Sequence, residues 1–205
     1  MGKKRILILA ALTSLSAIVG LYLWVGPYYV LAPSGAMEPT IRLGDRLMVN
    51  SIVGEVGRGD LIMFRLPRDP REIRISRVVA VGGDAVQLRG TQVLVNGEPL
   101  RERRIFVVFG DGGDILREVG QEGEGDYSVY YAKDSRMRAP EAEYAGREPY
   151  RVPAGSLFTL GDNRDNSEDS RYWGPVPVAN VIGRPAFVYA AGTGGEVSRT
   201  FRRLR

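Results

Sequence analysis

The chain has 205 residues, 28 Lys and Arg against 24 Asp and Glu, a formal charge of +4, and neither His nor Cys. Those two absences exclude a disulfide framework, a thiol nucleophile, thiolate metal ligation and imidazole acid–base chemistry. Only Lys3, Lys4 and Lys133 are lysines, so the positive charge is nearly all arginine, which does not deprotonate to act as a base.

Lys3, Lys4 and Arg5 precede an uncharged stretch, Ile6 to Val25, of 20 residues. As a helix it would rise roughly 30 Å, the thickness of a bilayer's hydrocarbon core. Tyr22, Trp24, Tyr28 and Tyr29 cluster at its far end, where amphipathic rings favour the membrane boundary, and the next charge is Glu38. The pattern predicts a cytoplasmic N-terminus (1–5), a transmembrane anchor (6–25) and an exported domain (29–205) of about 170 residues. A cleaved signal peptide would need small residues where Gly26-Pro27-Tyr28-Tyr29 stands, so a retained anchor is expected.

Beyond Tyr29 no long stretch has helical periodicity. Short apolar runs recur between Gly, Pro and Asp: Arg46–Asn50, Asp60–Arg65, Arg74–Val81, Ala85–Leu88, Thr91–Val95 and Leu157–Leu160. They predict a mainly β domain. Asn96-Gly97 after Val93-Leu94-Val95 suits a type I′ hairpin turn. Gly110 to Asp126, rich in Gly and acidic residues, reads as a mobile loop, and the chain from there to about Tyr150 as irregular. Residues 86–150 are expected to decorate the core as an insertion. Arg199, Arg202, Arg203 and Arg205 form a basic tail, ordinarily solvated; contact with anionic lipid headgroups is the alternative. The modest net charge gives no reason to expect a nucleic-acid partner.

Three segments stand apart: Pro33-Ser34-Gly35-Ala36-Met37-Glu38-Pro39-Thr40; Arg58-Gly59-Asp60 through Arg65, continuing in Arg77-Val78-Val79-Ala80-Val81-Gly82-Gly83-Asp84; and Gly161-Asp162-Asn163-Arg164-Asp165-Asn166-Ser167-Glu168-Asp169-Ser170-Arg171-Tyr172-Trp173-Gly174. Five Asp or Asn residues within nine positions of the third segment predict a compact turn whose side chains bond its own backbone. The spacing resembles a calcium loop but lacks its central Gly and terminal Glu, so no metal is expected, nor any organic cofactor.

In order, spacing and position behind one anchor, these segments resemble the bacterial type I signal peptidases. The resemblance implies a signal-peptidase-like β-barrel or sheet domain with an inserted cap. It also implies removal of signal peptides from exported preproteins by a Ser–Lys dyad, in which a neutral lysine takes the serine proton. By resemblance Ser34, Gly35 and Met37 form the oxyanion and substrate-binding loop. Gly161, Asp162, Asn163, Arg164, Asp165, Ser167, Asp169 and Arg171 brace the site, Ser167 beside the lysine and Asp169 paired with Arg171. The nucleophile position is Ala36, however, and the lysine position is Ser76. A methyl group cannot attack a carbonyl, and a serine hydroxyl is no base near neutral pH. Ser34 lies about 6.6 Å along a strand from position 36, too far to substitute.

Two readings of function follow. The first is an inactive homologue in the bacterial inner membrane that binds signal peptides or an active signal peptidase paralogue. The second is an active signal peptidase, either inactivated by design or using a rescuing residue. A self-cleaving regulator sharing the dyad fold is disfavoured by the anchor and the Asp/Asn-rich turn.

Overall fold

The computed structural model describes residues 2, 12–16, 28–110, 115–134, 143–146, 148–192 and 200–204. Residues 12–16 are helical. The rest of the expected anchor lies outside the described residues, among which no helix is long and apolar enough to cross a membrane.

Strands dominate. β1 (Tyr28–Leu31), β2 (Arg46–Asn50), β3 (Leu61–Arg65), β4 (Ile73–Val81), β12 (Ser156–Leu160), β13 (Val176–Pro177) and β14 (Val181–Ala190) form one sheet in the order β1-β2-β14-β3-β4-β12-β13, with β15 (Arg202–Arg203) paired to β14. β2 alternates, burying Leu47 and Val49 while Arg46 and Asn50 face out. β4 has neighbours on both sides, and Val78, Val79 and Ala80 are buried in succession, as a central strand requires. β14 carries register shifts against both β2 and β3. Such irregularities bend a strand, and this one serves two parts of the sheet. At Gly183 on β14 a Cβ would come within 2.6 Å of the Tyr28 hydroxyl, so glycine lets β1 and β14 approach.

Residues between β4 and β12 build two smaller sheets. One is β11-β5-β6-β7, from β5 (Ala85–Arg89), β6 (Gln92–Val95), β7 (Glu98–Pro99) and β11 (Tyr150–Arg151); the other is β10-β8-β9, from β8 (Arg103–Phe109), β9 (Ile115–Glu122) and β10 (Ser128–Ala132). Val86, Val95, Val129 and Tyr131 share a core with Val79, Phe158 and Leu160 of the main sheet. Each such large side chain, fully buried, stabilises the fold by roughly 1.5–3 kcal/mol. Asn96 (φ 56°) and Gly97 (φ 86°) turn the β6–β7 hairpin, as their sequence predicts.

Three expectations are corrected. Gly110 to Asp126 is not wholly loop, because β9 crosses it, and Asp126 to Tyr150 contains β10. β9 is an edge strand with seven exposed positions and one half-buried, so it shows no apolar alternation. β10 pairs in parallel with β8, a long-range partnership that no local pattern announces. Arg202 and Arg203, expected in a solvated tail, form β15, and Leu204 after them is buried.

The turn between β4 and β5 is held by Asp84. Its carboxylate accepts from Arg58 Nε (2.9 Å), the Val81 N–H (2.9 Å) and Asn96 Nδ2 (2.9 Å). Burial pushes this carboxyl up, but the bonds from Arg58, Val81 and Asn96 outweigh it and hold it below the usual carboxylate range. A depressed folded value means that the unfolded chain binds the proton more readily. The stabilisation is therefore complete above the unfolded pKa of about 3.9 and is lost as the pH falls through the folded value. Asp84→Asn should be less stable than the parent at neutral pH, with the difference shrinking on acidification below about pH 4. Urea midpoints across that range measure it, and a pH-independent difference would contradict the assignment.

Candidate active site

The loop joining β1 to β2 carries Ser34, Gly35, Ala36 and Met37, and it is fixed from three directions. Met37 is buried against Ile41, Leu61 and Met63. Asn163 donates its backbone N–H to the Ala36 carbonyl (3.0 Å) and its Nδ2 to the Gly35 carbonyl (3.2 Å). The Thr40 hydroxyl donates to Asp162, and Arg202 of β15 reaches the Thr40 carbonyl.

The segment from Gly161 to α1 (Ser170–Trp173) lies behind this loop and is mostly buried. Asp162, Asn163 and Asp169 are each 0% exposed. Asp169 caps α1, accepts from Gly161 N–H (2.9 Å) and pairs with Arg171 (2.7 Å). Arg171 in turn donates to the Arg164 carbonyl (2.6 Å) and the Ser167 carbonyl (3.3 Å). Asp165 is exposed, and its carboxylate accepts the Ala132 N–H (2.8 Å), tying the segment to β10. Arg164 donates to the Gly161 carbonyl (3.1 Å), the Tyr131 hydroxyl (2.9 Å) and Glu102 (2.8 Å). Burial opposes the Arg164 charge, yet Glu102 and the Tyr131 hydroxyl hold its pKa well above the ordinary value. A second buried pair joins Arg77 to Asp162 through two bonds of 2.8 and 2.7 Å. Arg77 also donates to the Gly59 carbonyl (2.7 Å) and stacks 4.0 Å from the centre of the Tyr127 ring.

In front of the loop opens a cavity of about 680 Å³ lined by Ser34, Ala36, Met37, Ser76 and Ser167. Ser76 is carried there by β4 and is 3% exposed. The cavity's titratable groups are Tyr28, Arg65, Glu72, Arg74 and Glu168. Glu72 and Glu168 both pair with the Arg74 guanidinium, Glu168 at 3.6 Å, and Tyr28 donates its hydroxyl to the Ile182 carbonyl (3.1 Å). Burial raises the Tyr28 pKa further. Lys133 is exposed just past β10 and does not line the cavity. Gly161, Asp162, Asn163, Arg164, Asp165, Asp169 and Arg171 do not line it either; they stand behind its wall.

Gly161 marks the tightest approach. A Cβ there would strike the Ser167 side chain and come within 2.7 Å of the Ala36 carbonyl oxygen. Gly161→Ala should therefore force the loop and Ser167 apart, at a cost of about 1–3 kcal/mol in unfolding free energy. A urea midpoint indistinguishable from the parent's would show that the approach is not tight.

Thr40, Arg77, Glu102 and Tyr131 also serve the site; the sequence places Thr40 and Arg77 in its motifs without a role, and does not mark Glu102 or Tyr131. Arg77 carries the one weak signal: an arginine leading directly into the apolar run Val78–Val81 needs a partner if it is buried with that run. Glu102 and Tyr131 give no signal, because their partner, Arg164, is distant in the chain.

A family model described as Signal peptidase, peptidase S26, matches residues 3–190. The chain belongs to the S26 signal peptidase family. It is 35% identical over 193 residues to the signal peptidase I of Pseudomonas fluorescens, covering 80% of this chain and 64% of that protein. The signal peptidase I of Aquifex aeolicus is 32% identical over 197 residues, covering 78% and 74%. A crystal structure of a signal peptidase I from Enterococcus faecalis V583 is 25% identical at a TM-score of 0.40, covering 65% of this chain and 98% of that one. The chain thus spans just under two thirds of the Pseudomonas relative it matches.

Proposed function

We propose that this signal peptidase family member is a membrane-anchored homologue that keeps the peptide groove and lacks the chemistry. The observation that carries the reading is the cavity itself. It brings together Ala36 and Ser76, the two positions that the family resemblance assigns to the nucleophile and the lysine, and supports reading both as substituted. Its carboxylates are tied to Arg74, and its tyrosine hydroxyl is committed to a carbonyl. Three serine hydroxyls remain without a base to activate any of them, so acyl transfer has no starting point.

The groove then binds signal peptides, and the protein acts beside an active signal peptidase paralogue or holds back part of its substrate. The basic N-terminus, the uncharged stretch and the aromatic belt support a single-pass position in the bacterial inner membrane, with the domain outside the cytoplasm. Incubating detergent-solubilised protein with a preprotein tests the reading. The expected result is no cleavage above a no-enzyme control, and cleavage well above it would refute the proposal.

A further inference from the structure

The cavity has more hydrogen-bond donors than its own residues use. The Ala36 N–H makes no hydrogen bond within the protein among the described residues, and neither do the hydroxyls of Ser34, Ser76 and Ser167. All four residues line the same space. Arg74 lines it too. Its carboxylate partners, Glu72 and Glu168, make their nearest approach at Nη2, and its Nε is buried with no hydrogen-bond partner. Glu168 keeps 69% of its side chain exposed, so it is a loosely held partner. A guanidinium offers five N–H donors, and the unpartnered Nε of Arg74 is one that a ligand can take.

The complement of such a set is an acceptor-only group with two oxygens and a negative charge. An internal peptide bond supplies one neutral carbonyl oxygen. A peptide's free α-carboxylate supplies two charged ones, and hydrogen bonds to a charged acceptor are roughly twice as strong. Position 36 decides whether both oxygens fit. A seryl hydroxyl there would occupy the space beside the N–H and crowd the second oxygen, whereas the Ala36 methyl leaves it clear.

We propose that the cavity is a receptor for peptides ending in a free α-carboxylate, the product of signal-peptide cleavage, in preference to the uncleaved preprotein. One carboxylate oxygen takes the Ala36 N–H and the Ser34 hydroxyl. The other takes the Ser76 and Ser167 hydroxyls, and Arg74 balances the charge after Glu168 swings into solvent. This rests on the reading of the cavity as a peptide groove and adds which peptide it holds.

The test uses the full chain in detergent and a dye-labelled peptide with an apolar core and small residues at its C-terminal end. Three versions are made: free carboxylate, carboxamide, and one extended by several residues beyond the small ones. Fluorescence anisotropy should show the carboxylate form binding tighter than the other two by about tenfold or more. Ala36→Ser and Arg74→Gln should each narrow the gap. Equal affinity for all three would overturn the product preference and leave the groove reading standing. No binding by any would overturn both. A gap that survives both substitutions would place the carboxylate outside this cavity and overturn the assignment.

Discussion

On the proposed reading, Ala36→Ser combined with Ser76→Lys should create processing of a preprotein where the parent gives none, a gain on the order of a millionfold if it mirrors the loss when a serine protease is stripped of its nucleophile. Each single change should stay near background. Serine at 36 alone finds no base, and lysine at 76 alone finds no nucleophile. The surroundings favour the double change. Position 76 is 3% exposed, so a lysine there is desolvated, and burial lowers an ammonium pKa toward neutrality. Arg74 and Arg77 flank it in sequence and disfavour a further positive charge in the same direction. The loop at 34–37 and strand β4 already bring both positions to one cavity. Single-turnover cleavage of a preprotein reads the result. A double variant that melts like the parent and still fails to cleave would mean that the groove has drifted beyond use, and a scaffold role would replace the proposed one.

Arg77→Met should cost about 3–5 kcal/mol, because it strands the Asp162 carboxylate in a place without water. Arg77 and Asp162 are 1% and 0% exposed at their side chains, and no solvent can take over the missing bonds. Thr40 stays bonded to Asp162, but one hydroxyl does not neutralise a buried charge. For a domain of this size the melting temperature should fall on the order of 10 °C. Arg77→Met with Asp162→Leu should recover much of the loss, since replacing a whole buried pair by apolar groups is often near neutral. A single-variant loss below about 1 kcal/mol would show that water reaches the pair.

Where the chain is locally consistent, its sequence announces the structure. Arg46–Asn50 alternates and is β2; Ala85–Leu88 and Thr91–Val95 fall on β5 and β6; Asn96-Gly97 turns the hairpin. The segment from Gly161 to Gly174 is legible as a compact turn because its Asp and Asn residues are contiguous, while its bracing role comes only from the family resemblance. What escapes is whatever depends on a distant partner. Glu102 reads as an ordinary surface acid until Arg164 is packed onto it. β9 has no buried face to generate a pattern, and β10 is a five-residue run, Ser128–Ala132, whose partner β8 lies far from it in the chain. Thr40 looks like the end of a motif, whereas its hydroxyl and carbonyl anchor the loop to Asp162 and to Arg202.

The grip on the reactive loop has one further property. Asn163 holds it through the carbonyls of Gly35 and Ala36, which every amino acid possesses. The scaffold is therefore indifferent to which side chain stands at position 36. On the proposed reading, a lineage can discard the nucleophile without unfolding the loop, and two substitutions separate a silent form from a working one. Silence and activity are neighbours in sequence space here, so near relatives with nearly identical architecture can stand on opposite sides of that line.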